Sequence, residues 1–173
     1  RDEMLALALY FSQKRWPEAE SALKAVGLDF EVAISQIKGQ IAELAEQAVR
    51  AGFSPIIVAG GDGSIGDAAN GILRAAQSLG GGSVPMGIMP MGSANDLVYA
   101  LGLPTDLQKA AQVIAVGKTR AMDVGKLNGH YFVNNSAAGL EPYVTIKHEK
   151  IHWIKGMARY LVAAVQAIMD KPE

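Results

Sequence analysis

One local pattern occurs twice in this 173-residue sequence and constrains the fold more than any other feature. An apolar run, Ile56 to Ala59, leads directly into Gly60-Gly61-Asp62-Gly63-Ser64. A second run, Gly87 to Met89, leads into Pro90-Met91-Gly92-Ser93-Ala94-Asn95-Asp96. Glycine permits positive φ and places no Cβ in the way of a close approach. Each pattern therefore indicates a buried strand that ends in a loop suited to holding a charged group.

The composition excludes several classes of protein. Hydrophobic residues make up 50% and charged residues 19% of the chain, which supports a sizeable core and argues against disorder. The formal net charge of -1 argues against an extended nucleic-acid-binding surface, so no nucleic-acid partner is expected. The absence of cysteine excludes disulfides and thiolate metal sites, and it agrees with a cytoplasmic protein.

Hydrophobic periodicity predicts a β-α-β-α-β-α succession followed by a hairpin and a further helix. The predicted helices cover residues 16–26, 35–51, 65–79, 95–101, 106–116 and 155–169. The predicted strands cover residues 30–34, 56–59, 86–89, 121–127 and 130–134. Ser35 is expected to cap the second helix, and Asn128-Gly129 is the strongest short signal for a hairpin turn.

The alternation of strands and helices predicts an α/β fold with a doubly wound, mostly parallel sheet in three layers. The antiparallel hairpin signal breaks this pattern near residue 122. We therefore expect an α/β domain over residues 1–121. Residues 122–173 are expected to begin a second, β-rich domain that is incomplete here.

The two glycine loops are expected to lie at the carboxyl ends of parallel strands, where doubly wound sheets bind ligands. Backbone N–H groups of the first loop, with a helix beginning near Ile65, form a cradle for an anion. The Asp62 carboxylate beside such a site indicates a hard cation such as Mg²⁺. In the second loop either Ser93 or Asn95 is expected to cap the following helix. A plain turn remains the alternative for the first loop taken alone.

In this order and spacing the loops resemble the diacylglycerol kinase catalytic-domain family, bacterial lipid kinases that also resemble sphingosine and ceramide kinases. That family has a Gly-Gly-Asp-Gly-Thr loop, an Asn-Gly pair in the next helix and a Pro-x-Gly-Thr-x-Asn-Asp loop. The matching segments here are Gly60 to Ser64, Asn70-Gly71 and Pro90 to Asp96. Ser35 stands where the family has a strand-end Thr, and Asp123-Val124-Gly125 matches the opening of its second domain.

The resemblance implies an ATP- and Mg²⁺-dependent kinase that phosphorylates a lipid hydroxyl, such as that of diacylglycerol, and acts peripherally at the membrane. It implies a supporting catalytic role for Asp62 and places the general base outside this chain, which leaves open whether the chain alone is active. It assigns Asp62, Asp96 and Asp123 to a metal and water network. The residues that it assigns to ATP are Ser35, Gly60, Gly61, Asp62, Gly63, Ser64, Ile65, Gly66, Gly92, Ser93 and Asn95.

Two other functions stay open at this point. A NAD kinase-like enzyme shares the Gly-Gly-Asp-Gly loop and the general fold, although the run from Pro90 to Asp96 argues against it. A non-catalytic nucleotide- or lipid-binding module is the second alternative, because Gly66 and Asp67 stand where the lipid kinase family has Asn and Glu. The lipid acceptor is not identified by these residues, and a homodimer is left open.

Overall fold

The computed structural model describes residues 6–10, 15–37, 39–134, 144, 147, 151 and 157–170. Within these residues the helices are α1 (Trp16–Ala25), α2 (Gln40–Arg50), α3 (Asp62–Ser78), α4 (Asp96–Ala100), α5 (Leu107–Val116) and α6 (Met157–Met169). The strands are β1 (Ala6–Tyr10), β2 (Phe30–Ile34), β3 (Ile56–Gly60), β4 (Met86–Pro90), β5 (Gly125–Leu127) and β6 (His130–Phe132).

The main sheet has four strands in the order β2-β1-β3-β4, and every neighbouring pair is parallel. All five residues of β3 are buried, as expected of a parallel strand that is covered on both faces. The predicted parallel α/β sheet is confirmed. The periodicity did not predict β1, which lies between β2 and β3 and pairs Ala8 with both Val32 and Ile57.

The two faces of β3 pack against different helices, since successive residues of a strand point to opposite sides. Ile56 and Val58 pack in a hydrophobic cluster with residues of α2 and α3. Ile57 and Ala59 pack in a second cluster with residues of α1 and α5. The two clusters bury β3 at the centre of the α/β unit and hold its carboxyl end in a defined place.

The helix after β2 begins later than predicted. The first residue of α2 is Gln40, and its N-cap is Gly39, which has a φ of 86° and makes no side-chain capping bond. The Ser35 hydroxyl donates instead to the carbonyl oxygen of Ile37 at 2.9 Å. The prediction that Ser35 caps this helix is therefore wrong, because its hydroxyl is used within its own turn.

The hairpin turn at Asn128-Gly129 is confirmed. Both residues have positive φ, 48° and 85°, as a two-residue hairpin turn of this type requires. The flanking strands β5 and β6 are antiparallel and only three residues long, so they are shorter than the predicted strands 121–127 and 130–134.

The chain forms two compact units, residues 1–134 and 135–173. The hairpin thus belongs to the same compact unit as the parallel sheet, whereas the predicted domain boundary lies at residue 121. The assignment of residues 122–173 to a second domain stays a prediction, because the compact units of this chain do not define the domains of the full-length protein.

In the second unit, Ala163 and Ala167 of α6 pack with Val144 and Ile151. Lys147 and Asp170 form an ion pair in the same unit. The predicted start of this helix at residues 155 and 156 lies outside the described residues. None of the described helices has the length and apolar character needed to cross a membrane.

Candidate functional site

The carboxyl ends of β3 and β4 lie side by side and bring the two glycine loops into contact. Gly60 pairs with Pro90 in the sheet, and the Met91 N–H donates to the Gly60 carbonyl oxygen at 2.9 Å. A Cβ added to Gly61 would lie 2.9 Å from the Cα of Gly92, which is too close for any side chain. Glycine is therefore needed at this point so that the two loops can touch.

The glycines of the first loop are used for close approach and not for positive φ. The positive-φ glycines of the described chain do not include Gly60, Gly61 or Gly63, and Gly61 has an extended backbone with a φ of -101°. A Cβ on Gly60 would lie 2.6 Å from the hydroxyl oxygen of Ser64. Gly60 thus makes room for a side chain one helical turn later in the same loop.

Most of the predicted first loop is in fact the first turn of α3. The Ile65 N–H donates to the Gly61 carbonyl oxygen at 3.0 Å, so the helix begins at Asp62 and not near Ile65 as predicted. The N-cap residue is Gly61, which has no side chain with which to cap this end of the helix. Gly63 lies in the first turn, and apart from its chain neighbours and the backbone of its own helix, a Cβ there would meet no described atom within 4 Å. The first turn of α3 therefore offers backbone N–H groups beside open space, which is an arrangement suited to an anion.

The Asp62 carboxylate links the two loops directly. Its two oxygens accept the backbone N–H groups of Asp96 at 3.1 Å and of Leu97 at 3.0 Å. These are the first N–H groups of α4, which an N-cap side chain would ordinarily satisfy. Asp62 thus caps α4 from another helix, and one carboxylate lies at the positive ends of both α3 and α4.

The second loop is closed by its own side chain. Asn95 accepts the Gly92 N–H at 3.0 Å and donates to the Gly92 carbonyl oxygen at 2.9 Å. Asn95 has a φ of 55°, is 8% exposed and makes no capping bond to α4. The prediction that Ser93 or Asn95 caps this helix is therefore wrong, because Asn95 is used to close the loop and Asp62 supplies the cap.

The other predicted site residues differ in how accessible they are. Ser93 and Asp96 are exposed beside the junction of the loops, whereas Ile65 is completely buried and offers only its backbone. Ser35 is 4% exposed and follows β2, which lies two strands from β3 on the same carboxyl edge of the sheet. The order β2-β1-β3-β4 changes direction between β1 and β3, and ligands of such sheets bind at that crevice.

The three predicted acidic residues do not form one ligand set. Asp62 and Asp96 are adjacent through the bond described above, but Asp123 is exposed in the segment before β5. Among the residues that the structure describes, no three His, Asp or Glu side chains are placed to share a metal ion. Two carboxylates with substrate oxygens and water are nevertheless the usual protein contribution to a Mg²⁺ site.

Asn70 of α3 forms hydrogen bonds to β6 that the hydrophobic periodicity did not predict. Its side-chain amide donates to the carbonyl oxygen of Tyr131 at 2.7 Å, and its side-chain oxygen accepts the Tyr131 N–H at 2.9 Å. Asn is a poor residue for a helix interior, because its side chain competes for backbone hydrogen bonds. An Asn in the middle of a predicted helix is therefore a sequence signal of such a contact, in addition to the family match of Asn70-Gly71.

Two proteins with similar sequences are lipid kinases by name. The chain is 34% identical over 123 residues to a diacylglycerol kinase of Staphylococcus carnosus, covering 71% of this chain and 39% of that protein. It is 32% identical over 161 residues to a "Probable lipid kinase YegS-like" protein of Enterobacter sp., covering 90% of this chain and 52% of that protein. The chain thus spans about 39% to 52% of the length of these relatives.

The fold also matches a solved structure. A crystal structure from Bacillus anthracis str. Sterne, described as that of a candidate diacylglycerol kinase, superposes with a TM-score of 0.64 at 24% identity. The match covers 76% of this chain and 49% of that chain, and at this identity it supports the fold alone. The family model for the diacylglycerol kinase catalytic domain matches residues 11–127, which is more than half of the chain. The chain therefore belongs to the diacylglycerol kinase catalytic domain family.

Proposed function

We propose that this chain is the nucleotide-binding part of a lipid kinase that transfers the γ-phosphate of ATP to a lipid hydroxyl, such as that of diacylglycerol. Family membership and the names of the relatives support a kinase that acts on a lipid. Because the chain spans only part of those relatives, the proposal concerns the full-length protein. The general base is proposed to lie outside this chain.

The observation that carries the proposal is the first turn of α3. It combines backbone N–H groups that receive no cap from the N-cap residue Gly61, a glycine with open space beside it and the contact with the second loop. A helix N-terminus with these features favours phosphate groups. Phosphoryl transfer depends mainly on positioning and charge neutralisation. The hydrogen-bonded junction of the two loops can supply the positioning, and the backbone N–H groups can face the phosphate charge.

The proposed ATP contacts remain those that the family resemblance assigns. The burial of each residue limits which of its atoms can reach the nucleotide. Gly63, Ser64 and Ser93 are accessible enough to face phosphate oxygens. Ile65 can contribute only its backbone, and Asn95 and Gly92 would act by shaping the second loop. Ser35 and Gly66 stay proposals that rest on the resemblance.

The residues present fit Mg²⁺ as a partner of the nucleotide. Asp62 and Asp96 would hold it together with phosphate oxygens and water, and Asp123 stays a proposed support. The ion supplies neutralisation of the phosphate charge. The hydrogen bonds from α4 to Asp62 also hold the two loops together. The Asp62 carboxylate would therefore position the loops as well as contribute negative charge.

Several finer points belong to the same proposal. We propose a three-layer, doubly wound α/β domain followed by an antiparallel domain that carries the lipid acceptor. A lipid acceptor is met at a bilayer surface, so we propose a cytoplasmic protein that works peripherally at the membrane. The homodimer remains a prediction that rests on the sequence alone.

The direct test offers the full-length protein Mg-ATP that is labelled on its γ-phosphate. The acceptors are detergent-dispersed diacylglycerol, phosphatidylglycerol, sphingosine and ceramide, with NAD in a parallel reaction. We expect label in one lipid and none in NAD. Label in NAD alone would support the NAD kinase-like alternative. ATP binding without any transfer would support a non-catalytic module.

A pair of glycine variants tests the proposed nucleotide position. Gly63→Ala adds a methyl group that faces open space outside its own helix, so the melting temperature should stay unchanged or rise. If phosphates lie against this turn, affinity for Mg-ATP should fall by about tenfold or more, since tenfold corresponds to about 1.4 kcal/mol. Gly71→Ala is the matched control, because its Cβ would collide with the Ala42 carbonyl oxygen and should lower stability instead. Unchanged ATP affinity in Gly63→Ala would contradict the proposed position.

A further inference from the structure

The side chain of Asn70 binds strand β6 as another strand would. Its amide donates to the Tyr131 carbonyl oxygen and its oxygen accepts the Tyr131 N–H, across 61 residues of sequence. The same amide also donates to the Gly66 carbonyl oxygen at 2.9 Å, one turn earlier in α3. These bonds fix the side chain of Asn70 and hold Tyr131 at one place along the helix.

Only a carboxamide of this length can make this pair of bonds. Asn carries both a donor and an acceptor, whereas Asp offers acceptors only and Leu offers neither. An Asp at this position would place a carboxylate oxygen against the carbonyl oxygens of Tyr131 and Gly66. Asn70→Asp therefore removes one bond of the pair and Asn70→Leu removes both, while each keeps the approximate size of the side chain.

A second contact joins the hairpin to α3 further along the helix. The Tyr131 hydroxyl donates to the side-chain oxygen of Gln77 at 2.9 Å, and Lys126 donates to the same hydroxyl at 3.1 Å. Gln77 lies seven residues after Asn70, or about 10 Å along the helix axis. This contact is exposed, so it contributes less to the placement of β6 than the partly buried bonds of Asn70.

We propose that Asn70 is a positioning residue of the kinase, and this inference rests on the proposed function. Asn70 fixes β6 on the same helix whose first turn is proposed to hold the phosphates of ATP. It thereby fixes the point at which the chain leaves the first compact unit, beyond residue 134. When this point is not fixed, the γ-phosphate and the lipid hydroxyl are aligned less often, and water accepts the phosphate in place of the lipid.

The test compares Asn70→Leu and Asn70→Asp with the wild type in the full-length protein. We expect hydrogen exchange of the Tyr131 amide to accelerate in Asn70→Leu and less in Asn70→Asp, which keeps an acceptor. We expect kcat for lipid phosphorylation to fall by about 10- to 100-fold while KM for Mg-ATP is kept, as for a misplaced reactant. The number of lipid molecules phosphorylated per ATP consumed should fall together with kcat. Gln77→Met is the control, because it removes only the exposed bond and should keep this ratio.

The stoichiometry of ATP binding separates positioning from loss of folded protein. A purely structural role would lower the stoichiometry and kcat together and leave the ratio of lipid product to ATP consumed unchanged, and that result would overturn the proposal. Unchanged exchange at Tyr131 would show that the Asn70 contact does not hold the hairpin. A wild-type protein without lipid kinase activity would overturn the proposed function, and the positioning role with it, even if exchange confirms the contact.

Discussion

Asp62 shows how much one side chain contributes to the junction of the two loops. Its carboxylate reaches α4 across 34 residues of sequence and satisfies two backbone N–H groups that would otherwise lack a protein partner. An Asp between glycines in the sequence indicates only a turn or a charged site. Its capping role depends on the contact of Gly61 with Gly92, which brings the two helix ends together.

Asp62→Ala should lower the free energy of unfolding by about 0.5 to 2 kcal/mol, the usual cost of a lost N-cap. Asp62→Asn should fall between this variant and the wild type, because one acceptor oxygen remains. Urea denaturation monitored by circular dichroism measures the difference. Asp29→Ala, which removes an exposed carboxylate, is the control. Equal midpoints for Asp62→Ala and the wild type would contradict the capping role.

At the scale of elements, α2 and α3 pack closely against each other. Gly71 allows this approach, because its Cβ would overlap the backbone of α2 at Ala42. Glu46 on α2 adds charged contacts, since it accepts hydrogen bonds from Arg50 at 2.8 Å and from Arg74 of α3 at 3.1 Å. The hydrogen bond from Arg50 is the largest cause that lowers the pKa of Glu46, and the charges of both arginines act in the same direction while desolvation opposes them.

This lowered pKa predicts a pH dependence with a definite sign. A carboxyl whose pKa is lower in the folded state contributes stability above its ordinary pKa of 4.5 and loses it as the pH falls through the folded-state pKa. The melting temperature of Glu46→Gln should therefore lie below that of the wild type at pH 7, and the two should converge in acid below pH 4.5.

Thermal melts across this range, with Glu43→Gln as the control on the same helix, measure the Glu46 effect. Added salt should reduce the difference at pH 7, because exposed ion pairs are screened. A difference that grows on acidification would contradict the assigned cause.

At the scale of the whole chain, the first compact unit includes the hairpin. Val133 packs against the cluster formed by β3, α2 and α3, and Tyr131 is bonded to Asn70. The change from parallel to antiparallel strands suggested a boundary at residue 121. The contacts of the hairpin with α3 place it in the compact unit that ends at residue 134, and the domain boundary at residue 121 stays a prediction.

Two shortened chains test which boundary describes a folding unit. Residues 1–134 keep the hairpin, whereas residues 1–121 lose it together with the contacts of Asn70 and Val133. The longer fragment should melt cooperatively and at a temperature higher by more than about 4 °C, which corresponds to about 1 kcal/mol in a domain of this size. Differential scanning calorimetry measures both. Equal melting temperatures would support a boundary at 121.

The features that the sequence alone determined are those with a local physical cause. The buried β3, the helix from Asp106 onward and the Asn128-Gly129 turn depend on periodicity, capping and backbone conformation within a few residues. Tertiary structure decided which distant groups meet. It placed β1 between β2 and β3, gave the cap of α4 to Asp62 and gave the hairpin contact to Asn70. These contacts join residues far apart in the chain, so no local pattern specifies them.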